Sequence, residues 1–274
     1  MRKLLMNKEI ICVRGAGDLA TGVIQKLARS GFRVYALEIE RPTTIRRQVA
    51  LSTAMAEGEA KVEDICGRRV EFSVDNLEKC WQQGVVPLLA DKEGETTKRI
   101  KPAALVDAIL AKRNLGTKRE MAPITIGLGP GFVAGEDVDV VIETMRGHDL
   151  GRLISEGAAL ADTGMPGEIG GQGRKRVIHA PIPGCVHHIA NIGDYVEAGA
   201  PLLKIDEQEV CAPFSGVLRG LIQEGMEVPA KMKIADLDPR RLEDEQIYRI
   251  SDKARCIGGA VLEAILYLQT NQSK

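Results

Sequence analysis

The chain reads as an α/β amino-terminal half followed by a small all-β module, and three features of its 274 residues carry that reading. The first is an opening of strand, glycine turn, helix and strand. An apolar run Ile10-Ile11-Cys12-Val13-Arg14 leads into Gly15-Ala16-Gly17, helical spacing follows from Leu19 to Arg29, and a second apolar run covers Phe32 to Ile39. The second feature is a pair of short apolar runs, Ile124 to Leu128 and Val138 to Glu143, separated by Gly129-Pro130-Gly131 and Gly135. The third is an internal repeat. Ala180-Pro181-Ile182-Pro183-Gly184 returns 32 residues later (180 to 212) as Ala212-Pro213-Phe214-Ser215-Gly216. At the same offset Ile189 matches Leu221, Gly193 matches Gly225, Val196 matches Val228 and Leu202 matches Ile234. Repeats this short cannot bury a sheet face alone, so two copies about a pseudo-twofold axis, forming a small β sandwich, are expected.

The remaining elements are read from local pattern. Pro42 ends the second strand region, and Thr44 to Glu57 carries a helical pattern. Val85 to Ala90 reads as a strand ending at Asp91, and Pro102 reads as the first turn of a helix through Leu105, Ile109 and Leu110 toward Lys112. Residues 113–122 are polar and read as a surface connection. Residues 144–176 hold eight glycines and read as extended loop around Gly157 to Leu160. Ile257, Val261, Ile265 and Leu268 space an amphipathic helix over Ala254 to Leu268. The expected division is an α/β domain with its loop region over 1–176, the β-repeat module over 177–238, and a helical segment over 239–274 that packs on the first domain.

Composition sets limits on function. A net charge of -1 and a pI near 6.5 argue against nucleic acid as the main partner, and four Phe, four Tyr and one Trp offer few base-stacking surfaces. No apolar stretch reaches the length needed to cross a bilayer, and no signal-peptide pattern precedes the first strand, so a cytoplasmic location is expected. None of Cys12, Cys66, Cys80, Cys185, Cys211 and Cys256 forms a CxxC pair, which points to thiols and away from structural zinc.

Gly15-Ala16-Gly17-Asp18-Leu19-Ala20 fits the GxGxxA form of the dinucleotide fingerprint, which makes the amino-terminal domain Rossmann-like with glycine-rich loops. The glycines permit close approach of phosphate, and the helix start supplies amide donors. Glu38, 21 residues after Gly17, stands where an acid accepts from ribose hydroxyls. Asp18 is unusual on a phosphate loop, because its charge repels pyrophosphate unless it is paired or caps the helix. Thr21-Gly22 extends the small, polar character of the loop. The alternative is structural: Asp18 as a cap and the glycines for close helix–strand packing.

Arg41, Arg46 and Arg47 follow the second strand and suit phosphate or carboxylate, with only one of Arg46 and Arg47 facing the crevice if they lie on a helix. A solvated basic face is the alternative. Among His148, His179, His187 and His188, the first lies in a dense polar stretch with Arg146 and Arg152, suited to acid–base work or to an anion. His187 and His188 alternate to opposite faces of a strand, which disfavours a shared metal, and Cys185 beside them is a reactive thiol only if exposed and low in pKa. Gly129 and Gly131 cradle an anion or simply turn, and Asp162-Thr163-Gly164-Met165-Pro166-Gly167 adds another loop at the same edge. No Ser-His-acid set, catalytic residue or metal ligand set is assigned.

The repeat resembles lipoyl and biotinyl carrier modules in Ala-Pro-x-x-Gly, Gly193-Asp194-x-Val196-x-x-Gly199 and Leu202-Leu203-Lys204-Ile205. The turn Asp206-Glu207-Gln208-Glu209 holds no lysine and Lys204 lies earlier, so lipoyl or biotin attachment is not expected. Along its whole length the chain resembles the YqeB-type accessory proteins of selenium-dependent molybdenum hydroxylase systems. The resemblance rests on Val13-Arg14-Gly15-Ala16-Gly17-Asp18-Leu19-Ala20-Thr21-Gly22, on Glu40-Arg41-Pro42 with Ile45-Arg46-Arg47, and on Gly127-Leu128-Gly129-Pro130-Gly131-Phe132. Glu143-Thr144-x-Arg146-Gly147-His148-x-Leu150-Gly151 and the Ala-Pro segments complete it. It implies a maturation factor that binds a nucleotide or molybdopterin dinucleotide and partners a hydroxylase or its assembly factors. An NAD- or FAD-dependent oxidoreductase and a noncatalytic assembly scaffold remain the alternatives.

Overall fold

The computed structural model describes residues 9–164, 170–241 and 244–272. In chain order the first elements are β1 (Ile10–Arg14), α1 (Asp18–Arg29), β2 (Arg33–Glu38), α2 (Ala54–Glu57), β3 (Glu59–Val62), β4 (Ile65–Arg69), α3 (Val74–Gln82) and β5 (Val85–Ala90). Then come α4 (Thr96–Ile100), β6 (Ala104–Asp107), β7 (Ile124–Leu128), β8 (Val133–Ala134), β9 (Val140–Ile142), β10 (Leu153–Ile154), β11 (Gly157–Ala158) and β12 (Val177–His179). The last are β13 (Gly184–His188), β14 (Tyr195–Val196), β15 (Pro201–Ile205), β16 (Gln208–Cys211), β17 (Gly216–Leu221), β18 (Glu227–Val228), β19 (Lys233–Asp238), α5 (Asp244–Ile247) and α6 (Asp252–Gln272). They form two compact units. One comprises residues up to 42, 50–162 and 250 onward; the other comprises 43–49 and 163–249.

The first unit is built on a nine-stranded sheet in the order β10-β9-β7-β6-β1-β2-β5-β4-β3. Its interior pairs run parallel, whereas β3 and β10 close the two edges antiparallel. Strands β1, β6 and β7 are apolar almost throughout because both of their faces are covered. Helix α1 buries Val23, Ile24 and Leu27, and α6 packs along it. That crossing is close: a Cβ on Gly22 would stand 2.7 Å from the carbonyl oxygen of Ala254, and one on Gly258 would stand 2.6 Å from that of Gly22.

The expected Rossmann-like domain is corrected by this sheet. A doubly wound domain alternates strands and helices over both faces, but here no α-helix joins β6 to β7 or β7 to β9, and the edges are antiparallel. The glycine fingerprint describes only the β1-α1-β2 opening, so it leaves the rest of the sheet undetermined. The helix expected from Pro102 to Lys112 is instead strand β6, buried at every position beside β1. Four apolar residues suffice for a buried strand, and Pro102 fits before a strand as well as at a helix start. The helical pattern over 44–57 resolves into 3₁₀ turns at Arg47–Val49 and Leu51–Thr53 followed by α2, and the two turns belong to different units. Thr21 and Gly22, read as loop, lie inside α1.

In the second unit, where a small β sandwich of lipoyl type is expected, the chain forms two four-stranded antiparallel sheets, β12-β19-β17-β14 and β16-β15-β13-β18, around one core. The internal repeat itself is expressed in the backbone. Strands β13, β14 and β15 begin at 184, 195 and 201, and β17, β18 and β19 begin at 216, 227 and 233. Each half lends its short strand to the other's sheet: Gly184 pairs with Val228 and Gly216 with Val196. Val186, Leu202 and Ile205 share one core with their counterparts Leu218, Ile234 and Leu237. Lys204 lies within β15, its ammonium 3.7 Å from the Glu209 carboxylate of the paired strand.

Candidate ligand site at the carboxyl edge of the sheet

Because β5, β2, β1, β6, β7 and β9 run parallel, their carboxyl ends meet at one edge of the first unit. Ligands of open parallel sheets bind outside such an edge. Most of these strands are followed by a buried or half-buried acid that holds the departing loop by its backbone. Glu38 accepts from the amides of Ala16 (2.9 Å) and Ile39 (2.9 Å). Asp91 accepts from the amides of Gly94, Glu95 and Thr96 at 2.8, 3.1 and 2.7 Å. Asp107 accepts from the Ile109 amide (3.1 Å) and the Thr117 hydroxyl (2.6 Å), and the buried Arg14 guanidinium donates to the same hydroxyl. Glu143 accepts from Thr144, Met145 and Leu160 amides at 2.7, 2.7 and 2.8 Å.

These roles alter the titration of the acids. Burial pushes Glu38 above its ordinary 4.5, against the pull of the Ile39 and Ala16 amides. Burial likewise raises Asp107, against the pull of Thr117 and Arg14. Asp91 moves the other way: burial raises it, but the backbone and hydroxyl donors of Thr96 with the Glu95 and Gly94 amides together outweigh that.

The glycine loop is shaped by close approach. Gly15 has φ +93°, and a Cβ there would lie 3.0 Å from the Ala108 carbonyl. The Ala16 amide is committed to Glu38 and the Ala16 carbonyl accepts from the Ser52 amide (2.8 Å), so both the loop and the ribose-binding acid expected at Glu38 are occupied within the protein. Thr21 is fully buried; its hydroxyl donates to the Gly17 carbonyl (2.8 Å) and accepts from the Leu51 amide (2.9 Å). Gly17 precedes α1 without a side-chain cap, and the Asp18 carboxylate turns to its neighbouring Leu19 amide (2.9 Å).

Gly129 and Gly131 leave β7 in this region. A Cβ on Gly129 would collide with the Thr144 hydroxyl at 2.5 Å, and one on Gly131 with the Arg113 backbone at 2.6 Å. Arg146 makes a two-pronged ion pair with Asp252 at the start of α6 (2.9 and 3.0 Å), which holds that carboxyl down at about 2. Arg152 is mostly exposed and lies 3.7 Å from Asp149, and His148, just before Asp149, is exposed as well. Arg41 is exposed in the first unit. Arg46 and Arg47 belong to the second, where Arg46 lies against Gly220 and Arg47 donates to the Leu221 carbonyl (2.8 Å). Of the loop 162–167, Met165, Pro166 and Gly167 lie outside the described residues, and Asp162 pairs with Lys112 at 2.6 Å.

Lys253, on the first turn of α6, escaped sequence reading because nothing distinguishes one lysine opening a helix from another. It follows Asp252, which holds Arg146, and precedes Ala254, which abuts Gly22 of α1. The lysine is half-buried. Burial, then Arg146, lowers it from the ordinary 10.5, while Asp18, Glu143 and Asp162 oppose that shift. Lys253 therefore brings Asp18, Glu143 and Arg146 into one electrostatic neighbourhood. The donors of that neighbourhood are the Lys253 ammonium and the α1 start, where the Asp18 carboxylate takes the Leu19 amide.

In the second unit both histidines turn to Glu224. His187 Nδ1 is 3.1 Å from it, while the His188 amide donates to it at 2.6 Å. Partial desolvation and the carboxylates of Glu227, Asp206 and Glu224 hold the Cys185 thiol above its usual 9.0, opposite to what a reactive thiolate needs. Among the described residues no helix is long and apolar enough to cross a membrane.

No family model matches the chain. Solved structures similar to it include an aspartoacylase family protein of Mesorhizobium loti (13% identity, 86% of each chain, TM-score 0.28). A succinylglutamate desuccinylase of Silicibacter shows 12% identity over 84% of each chain, with a TM-score of 0.25. The ectoine utilization protein EutE of Ruegeria pomeroyi shows 11% identity over 84% of this chain and 86% of its own, with a TM-score of 0.25. Scores this low leave those likenesses without weight. An uncharacterized protein of Escherichia coli strain K12, YqeB, is 45% identical over 260 residues, which make up 95% of this chain and 48% of that protein. The chain spans about half the length of the curated relative it matches.

Proposed function

We propose that the protein is a cytoplasmic maturation factor for selenium-dependent molybdenum hydroxylases, and that it binds a phosphate-bearing group, of nucleotide or molybdopterin dinucleotide type, at the carboxyl edge of the first unit's sheet. One observation supports the binding part above others: the α1 start at Gly17 and Asp18, the Glu143–Arg146 segment and Lys253 meet at that edge. Helix starts and cations together are the usual receivers of phosphate. The maturation part rests on the sequence resemblance carried by the segments around Gly15, Arg41, Gly129 and His148.

The test is the selenium and molybdopterin content of a partner hydroxylase purified from matched cells with and without this protein. Loss of selenium with molybdopterin retained is the expected result and puts the protein at selenium insertion. Unchanged content of both overturns the proposal. In that event, a flavin absorbance or nicotinamide-dependent turnover in the purified protein would identify an independent oxidoreductase. Hydroxylase capture without small-molecule dependence would identify a scaffold.

A further inference from the structure

Between the two glycine turns at the carboxyl edge, the chain that leaves β6 adopts a backbone that side chains rarely tolerate. Leu110 has φ +59° and Lys112 has φ +61°, whereas Ile109, Ala111 and Arg113 between and beside them keep the ordinary negative sign. Left-handed backbone is costly for a residue with a Cβ, and it persists only where the surroundings impose it. Here they do so from both ends. Asp107 accepts from the Ile109 amide at 3.1 Å, and a Cβ on Gly15 would lie 3.0 Å from the Ala108 carbonyl oxygen. At the far end the Arg113 backbone lies against Gly131, where a Cβ would come within 2.6 Å, and Lys112 pairs with Asp162 at 2.6 Å. Gly15 and Gly131, both read from sequence as places for an anion, make room for this one segment.

Residues that alternate in backbone handedness turn successive amides toward a common side, which makes the concave anion receptor found in phosphate loops. The amides of Leu110, Ala111, Lys112 and Arg113 donate no hydrogen bond among the described residues. In this they differ from the α1 start, where the Leu19 amide is taken by Asp18. The Arg113 side chain is exposed and makes no hydrogen bond or ion pair among the described residues. The acids bound to this segment are committed: Asp107 to Ile109, Thr117 and Arg14, and Asp162 to Lys112.

We propose that residues 109–113 form an anion-binding nest that takes a phosphoryl group, with the free amides on its oxygens and Arg113 as the countercharge. This deepens the phosphate-binding reading of the carboxyl edge and rests on it. The ligand class follows from the donors. Successive amides and a guanidinium can serve the three free oxygens of a phosphoryl group together, while a carboxylate offers only two.

Backbone amide NMR of the full chain, titrated with inorganic phosphate against sodium chloride of equal ionic strength, tests this. Sodium acetate serves as a second anion, and Lys79→Met, on the exposed last turn of α3, as the control variant. Phosphate is expected to shift the amides of residues 110–113 saturably and to leave those of Leu19 and Ala20 in place. Acetate is expected to bind at least about threefold more weakly, and Arg113→Met to bind phosphate about tenfold more weakly than wild type and Lys79→Met, as for one charge-assisted contact. Thermal melting is expected to give Arg113→Met the Tm of wild type, because the side chain it loses holds nothing in the fold. Phosphate shifts that fall on Leu19 and Ala20 and spare residues 110–113 overturn the nest and leave the phosphate reading of the edge standing. Acetate binding equal to phosphate overturns the phosphoryl assignment, and an unchanged affinity in Arg113→Met overturns the countercharge. Shifts no larger with phosphate than with chloride anywhere in the chain overturn both the nest and the phosphate reading.

Discussion

At the residue scale, the acids at the strand ends explain why a recognisable glycine loop does not behave as its fingerprint suggests. Glu38 is where a ribose-binding acid belongs, yet its carboxylate is spent on the amides of Ala16 and Ile39. Sequence reading placed it at the end of the second strand but had no means of seeing that its partner was the glycine loop, because Ala16 lies 22 residues earlier, after the neighbouring strand. Burial raises its pKa from 4.5, and a raised acid carries a definite sign. Its contribution to stability is fully present below the unfolded value and is lost as pH rises through the folded one. Glu38→Gln keeps an acceptor for the Ala16 amide and removes the charge. The expected outcome is a variant at least as stable as wild type at pH 7.5, with a smaller loss of stability between pH 4.5 and 7.5, measured by denaturant unfolding at both values. A variant less stable than wild type at pH 7.5 would show that the charged form of Glu38 is the one that holds the loop.

At the scale of elements, legibility followed the length of the local signal. Strands β1, β2, β5 and β7 and helix α6 announced themselves through apolar runs or helical spacing. Strand β6 did not, since Ala104-Leu105-Val106-Asp107 is short and follows Pro102, a pattern shared with helix starts; its two buried faces exist only once β1 and β7 flank it. The β3–β4 hairpin and α3 carried a weaker cue, the Ser73 hydroxyl that accepts from the Asn76 amide at 3.1 Å. That the carboxyl-terminal helix packs on the first domain was expected, but the closeness of the α1–α6 crossing was hidden, because glycine inside a helix reads as a loss of propensity until its neighbour is known. Gly22 and Gly259 separate the two effects. Gly22→Ala places a methyl 2.7 Å from the Ala254 backbone, which cannot swing aside, whereas Gly259 has open space at its Cβ. Gly22→Ala is expected to cost about 1–3 kcal/mol through overpacking. Gly259→Ala is expected to gain up to about 1 kcal/mol from helix propensity. Thermal unfolding of the two variants checks both, and equal effects would mean that the close crossing does not form.

At the scale of the whole molecule, a repeat legible as letters became an exchange of strands that the letters do not specify. The 32-residue offset (184 to 216) is kept by the starts of β13, β14 and β15 against those of β17, β18 and β19. That regularity arises because β14 and β18 each complete the opposite half's sheet, so neither half closes by itself. The candidate site had the reverse fate. Gly15, Gly17, Asp18, Gly129 and Arg146 were visible as residue types, while Lys253 became visible only when a segment distant in sequence packed beside them. Strand exchange makes a prediction that two independent copies would not. Leu202 and Ile234 occupy equivalent repeat positions on different sheets, both are fully buried, and both belong to one core. Leu202→Ala and Ile234→Ala are therefore each expected to cost about 2–5 kcal/mol. Their effects should fall on a single unfolding transition, with a double variant that departs from additivity because the two side chains share a core. Separate transitions moved by one substitution each would mean that the halves fold as independent copies, and the interlocked pairing of Gly184 with Val228 and Gly216 with Val196 would have to be abandoned.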